Sequence, residues 1–221
     1  MMLKKISIFI KTLYRTRFSA FFTVLSLYLL LSFLIRISFL IWSSKDVDFN
    51  LIYILRAFFT GFIYDFTVGT LFLFLYALYI LILPKKWIGS LVDKGFTYFY
   101  LTLVFIIIYF SLLAEIPFWD EFGVRFNFIA VDYLIYTYEV IENINESYPL
   151  PLIGIVLIAL IALTFVLFKK IKIFKHTFSD KIPVSKRFIT LFPLLLVSIG
   201  LGLIMKNKQA DFSNNMVVNE L

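Results

Sequence analysis

The chain has 221 residues, 62% hydrophobic and 20% aromatic, with a formal charge of +7 and no cysteine. Soluble chains are roughly 45–50% apolar, so this one lacks the polar surface to cover a water-facing core, and lipid must be its solvent. The missing cysteines exclude disulfides and thiolate chemistry, and cations clustered beside apolar runs, rather than spread over one face, argue against nucleic acid as a partner.

Lys4, Lys5, Lys11, Arg15 and Arg17 precede a first apolar run over 18–42. It is too long for the core of a signal peptide and lacks a small-residue cleavage site, so it reads as a retained helix with Trp42 as interfacial anchor. The second run, 51–83, exceeds the roughly 20 residues that one crossing needs. Pro84, Lys85 and Lys86 fix one end, which places the other boundary near Ile63, with the residues before it a helical extension or a tilted part. The third run, 96–116, follows Lys94 and is expected to end at Pro117. The fourth, 150–168, opens at Pro149 and Pro151 and closes at Lys169 and Lys170. The fifth, 188–205, is the weakest, being short and carrying Pro193, Gly200 and Gly202. Its glycines are two apart and miss the small-xxx-small packing pattern.

Cations fill alternate gaps between these runs. The positive-inside rule converts this into an all-α membrane protein, a five-helix transmembrane bundle with the N-terminus cytoplasmic and the C-terminus extracytoplasmic. Residues 1–205 form the five-span domain, and 206–221 form an extracytoplasmic linker. The outer loop 117–148 holds Asp120, Glu121, Asp132, Glu139, Glu142 and Glu146 against Arg125 alone. Within it, 130–144 spaces Leu134, Tyr138 and Ile141 as an amphipathic helix, either interfacial or packed on the bundle. Asn145-Glu146-Ser147 fits the glycosylation pattern, which has meaning only in a eukaryotic secretory setting. His176 is the sole histidine and is expected to be solvated in the basic loop 169–187.

Charges within apolar spans are costly and mark functional candidates. Arg36, Asp65 and Glu115 fall at one level near the outer interface, with Arg36 about six residues, roughly 9 Å, from Trp42. Arg56 and Arg125 flank that level. Two readings stay open. Arg36 can pair with Asp65 or Glu115 across helices, or the arginines can hold a lipid phosphate. A proton or cation path would need deeper polar steps, and only Thr23, Ser26, Thr67 and Thr70 offer them. No phosphate loop, zinc-ligand spacing or Ser–His arrangement occurs, so no catalytic residue is assigned.

Two stretches, Gly61-Phe62-Ile63-Tyr64-Asp65-Phe66 and Glu121-Phe122-Gly123-Val124-Arg125-Phe126-Asn127 leading to Ala130-Val131-Asp132-Tyr133-Leu134, carry a family likeness. With the five-span plan, the chain resembles the membrane part of the lipoteichoic acid synthase family, phosphoglycerol transferases of the sulfatase/alkaline phosphatase superfamily. The tail Asn214–Leu221 is similar to the linker before the catalytic domain there. The resemblance implies a bacterial inner-membrane location and phosphatidylglycerol as lipid partner. It also implies an extracytoplasmic domain with a threonine nucleophile and manganese or magnesium. Nothing in these 221 residues matches that nucleophile or those ligands. The chain is therefore expected to be the N-terminal piece of a longer enzyme or a reduced relative. The alternative is a standalone small membrane protein acting as transporter or helix-packing scaffold.

Overall fold

The structure is a computed structural model that describes residues 13–44, 50–123, 125, 149–179 and 182–212, apart from the side chains of 121, 122 and 205–212. Among these residues every regular element is helical: α1 Ser19–Trp42, α2 Leu51–Phe72, α3 Phe74–Ile82, a 3-10 turn Lys85–Trp87, α4 Leu91–Phe122, α5 Leu150–Lys170, α6 Ile173–Ser179 and α7 Val184–Phe212. Five helices (α1, α2, α4, α5 and α7) are long and apolar enough to cross a membrane. The candidate amphipathic helix 130–144, the pattern at Asn145 and the tail 214–221 lie outside the described residues.

The helices form a row. α7 packs on α2 and α3, α2 on α1, α1 on α4, and α4 on α5. The short α6 contacts both α1 and α5. The tightest packing gathers at the end that carries Arg17, where Phe21, Tyr76, Leu101 and Phe105 are fully buried. Elsewhere large apolar side chains such as Ile52, Phe59 and Ile158 are exposed, as lipid-facing residues must be in a bundle without a water-filled surround.

Three expectations about the spans are corrected. Pro117 does not end the third span. It sits inside α4, which closes six residues later at Gly123, a left-handed residue (φ 64°) whose N–H bonds the Trp119 carbonyl at 2.9 Å. Proline forfeits one backbone bond, but the helix continues because the turn beyond it is buried: Trp119 stacks on Phe39 of α1 with ring centroids 4.4 Å apart. Second, the long run 51–83 is two helices. At Leu73 the N–H is shared between the carbonyls of Gly69 and Thr70, at 3.3 and 3.2 Å. Next to that tightened turn, the Tyr100 hydroxyl of α4 donates to the Phe72 carbonyl at 2.8 Å. A side chain reaching into the backbone ladder is a recognised cause of a kink. Third, the fifth span starts at Val184 and runs through Pro193, so it is longer than its apolar core suggested.

Candidate functional site

Two groups of charged side chains clasp the bundle, one toward each end. The first is built on α1, α2 and α4. Arg36 donates from Nη2 to Asp65 Oδ2 at 2.9 Å, and both residues are nearly closed to solvent. Arg125 follows α4 and bonds both oxygens of Glu115, at 2.7 and 3.0 Å from Nη2. Its Nη1 lies 3.7 Å from Asp65 Oδ1, so Asp65 serves two guanidinium groups. A longer contact, 3.4 Å, joins Arg125 to the Ser32 hydroxyl of α1. Burial pulls the Arg125 pKa down, but Glu115 and then Asp65 more than offset it, and the net shift is upward.

Local sequence makes room for this group. Gly61, Asp65 and Gly69 recur every four residues on one face of α2, with a glycine one turn to either side of the carboxylate where α1 comes close. A methyl group at Gly61 would lie 2.3 Å from the Arg36 guanidinium, and one at Gly69 would lie 2.6 Å from the Tyr28 ring. Arg36 also stands 5.9 Å from the centroid of the Phe58 ring, within cation–π range. Of the five residues singled out by their charge, Arg36, Asp65, Glu115 and Arg125 thus meet, while Arg56, nine residues before Asp65 near the start of α2, is exposed.

The second group was not anticipated. Arg17 lies just before α1, and Asp93 is in the first turn of α4. Arg17 Nη2 and Nη1 bond Asp93 Oδ1 and Oδ2 at 2.6 and 2.9 Å, with both side chains fully buried. Asp93 accepts further bonds from the Tyr79 hydroxyl (3.0 Å) and the Gly89 N–H (2.8 Å). Ser90 caps α4 by accepting from the Asp93 N–H at 3.2 Å. This Ser-x-x-Asp arrangement is a capping box variant. Thr177 of α6 completes the knot. Its hydroxyl accepts from the Ala20 N–H at 3.1 Å, supplying a cap that the start of α1 lacks. Its carbonyl accepts from Arg17 at 3.1 Å.

Arg187 of α7 is buried beside this knot and bonds carbonyls rather than a carboxylate. It donates to the carbonyls of Ile80 (2.9 Å), Leu83 and Ile182. The Ile80 carbonyl would ordinarily bond residue 84, but Pro84 has no N–H. Arg187 therefore takes over an orphaned acceptor at the end of α3, where the helix dipole also favours a cation.

About 19 residues of α1 separate Arg17 from Arg36, and about 22 of α4 separate Asp93 from Glu115; at 1.5 Å per residue these are roughly 28 and 33 Å. That is about the hydrocarbon thickness of a bilayer, so the two clasps lie roughly one membrane's width apart along the bundle. Between them, Thr67 and Thr70 bond back to their own helix carbonyls at 2.9 and 2.7 Å, and Ser26 bonds Tyr14. These hydroxyls are thus engaged locally rather than strung along a path.

Among the described residues no three His, Asp or Glu side chains converge on a point that could hold a metal ion. The manganese or magnesium implied by the family likeness has no ligand set among them. Fold and clasps together define a multi-pass α-helical membrane protein whose helices are tied by buried ion pairs at two levels. Compared with known proteins, the chain matches no family model, no curated protein and no solved structure.

Proposed function

We propose that this chain is the membrane-embedded part of a phosphoglycerol transferase or sulfatase-like enzyme of the lipoteichoic acid synthase type. It would sit in a bacterial inner membrane with its N-terminus cytoplasmic and its C-terminus outside. Its work is to hold a catalytic domain at the outer face, where tethering raises the effective concentration of domain and membrane substrate for each other. The observation that carries the reading is the meeting of Asp65 with Arg125. These residues come from the two separate stretches on which the family likeness rests, and a shared clasp gives both a reason to exist. Arg36 and Arg125 are each committed to carboxylates. The clasp therefore serves to fix the helices and the start of the outer loop, and not to grip a lipid phosphate.

The test uses membranes from cells expressing the complete reading frame that contains this chain. With fluorescent phosphatidylglycerol and manganese, the reading expects release of diacylglycerol that chelation abolishes. It expects Asp65→Ala to lower that release along with the amount of folded protein. A reading frame that yields no diacylglycerol under these conditions overturns the proposal in favour of a standalone scaffold or transporter.

A further inference from the structure

At the Arg17 end, a cavity of about 460 Å³ opens between the segment before α1 and the turn joining α5 to α6. It is lined by Tyr14, Arg15, Ile171, Lys172, Lys175 and His176. Lys172, Lys175 and His176 are three and four apart, which stacks them on one side of the α6 turn. Lys172 has a left-handed backbone (φ 64°), a conformation that a non-glycine residue adopts at some cost. Tyr14 is held in place from two sides: its hydroxyl bonds Ser26, and its carbonyl accepts from the Ser19 hydroxyl at 2.8 Å. No acidic side chain is among the described residues that line the cavity. Cations gathered without a counter-charge repel one another, and an anion entering between them relieves that repulsion.

The cavity also has an apolar approach. Leu163, Leu167 and Ile171 lie four apart on the side of α5 and its C-terminal turn, exposed by 53%, 46% and 57%. The Ile171 N–H bonds the Leu167 carbonyl at 2.9 Å, so the helical spacing carries through to the cavity. A stripe of exposed aliphatic side chains on a spanning helix, ending at a basic cavity, matches an acyl chain ending in an acidic headgroup.

We propose that this cavity is a binding site for the phosphate headgroup of an anionic phospholipid, with one acyl chain along the Leu163–Leu167–Ile171 stripe. The arginine and lysines meet the phosphate oxygens, and Tyr14 forms the wall at the side of α1. The site lies at the opposite end of the bundle from the Arg36 clasp and is independent of the transferase reading. Lipid held there would bridge the segment before α1 and the α5–α6 turn.

The experiment is native mass spectrometry of the purified chain released from nanodiscs of phosphatidylcholine containing phosphatidylglycerol. The wild type is expected to retain phosphatidylglycerol in preference to phosphatidylcholine. Each cation near an anionic lipid surface strengthens binding about fivefold, so Lys172→Gln/Lys175→Gln should weaken retention on the order of 25-fold. Arg15→Gln, an exposed change on the other wall, should weaken it about fivefold. All these side chains are exposed, and an unchanged elution volume will show that the variants fold. Equal retention by wild type and variants, or equal retention of the two lipids, overturns the proposal. Displacement of the lipid by millimolar inorganic phosphate also overturns it, because the site would then belong to a soluble anion.

Discussion

Arg17 and Asp93 are 76 positions apart in the chain and form a two-pronged ion pair that is completely closed to solvent. The pair joins the start of the first span to the start of the third, and Tyr79 and Gly89 satisfy the remaining carboxylate lone pairs. A buried pair of this kind is not a large net source of stability, since both charges had to leave water. Removing one partner is costly because the other is stranded. Arg17→Met and Asp93→Leu are each expected to destabilise the protein by roughly 3–5 kcal/mol, and the double variant should recover only part of that loss, because Tyr79, Gly89 and the Thr177 carbonyl lose their partners as well. Unfolding in mixed detergent micelles measures all three. Single variants as stable as the wild type would show that the pair is not sealed from water.

At the other clasp the carboxylates are not equivalent. Asp65 faces two arginines, whereas Glu115 faces one. Arg36 is 3% exposed, so it has no recourse to solvent if Asp65 is neutralised. Asp65→Asn is expected to be more damaging than Glu115→Gln, whose partner Arg125 keeps Asp65 and partial access to water. A double-mutant cycle of Arg36→Gln with Asp65→Asn should give a coupling between about 0.5 and 3 kcal/mol. A coupling near zero would mean the two groups do not sense each other.

Gly61 offers a sharper test of the same contact. An alanine there would place its methyl 2.3 Å from the Arg36 guanidinium, the mobile end of a long side chain. Arg36 can retreat, but only by leaving Asp65. Gly61→Ala should therefore lower stability in the wild type and be neutral or stabilising by up to about 1 kcal/mol in an Arg36→Ala background, as read by the same micelle unfolding. Equal effects in both backgrounds would place the clash elsewhere.

Much of this architecture is written in hydropathy. Five apolar runs become five long helices, and the charges Arg36, Asp65 and Glu115 meet with Arg125 in one group. The knot around Arg17 was harder to see, for physical reasons. Arg17 looks like any other juxtamembrane cation until its partner is known. The partner did leave a trace: Asp93 is the lone acid in a basic gap, and Ser90-x-x-Asp93 has capping-box spacing. Gly61 and Gly69, one turn to either side of Asp65, likewise announce a close helix approach. Arg187 left less, since carbonyl oxygens are common to every residue, although the missing N–H of Pro84 hints that an acceptor needs help. Pro117 misled because the contact that overrides it, Trp119 on Phe39, spans distant segments.

The alternation of cations predicts that the Arg17 clasp faces the cytoplasm and the Arg36 clasp faces outward. A dual reporter fused after Asn214 is expected to read as external, and one inserted after Lys170 as cytoplasmic. The same side for both would contradict a crossing by α7 between those two points.

Two glycines of the Arg17 clasp region should respond in opposite directions to the same substitution. Gly89 has φ +80°, and a methyl there would lie 2.6 Å from the Phe178 carbonyl oxygen. The obstacle is backbone of α6, held in place by the Thr177 bonds to Ala20 and Arg17, so it cannot swing away. Strain and clash add, and Gly89→Ala is expected to cost about 2 kcal/mol or more. Gly95 is six residues further on, inside α4, with nothing within 4 Å of a methyl at that position. There alanine lowers the entropy lost on forming the helix, and Gly95→Ala should stabilise by up to about 1 kcal/mol. Side-by-side unfolding of the two variants checks both signs. Equal shifts would mean that the packing of the Gly89 turn against α6 does not hold in the folded protein.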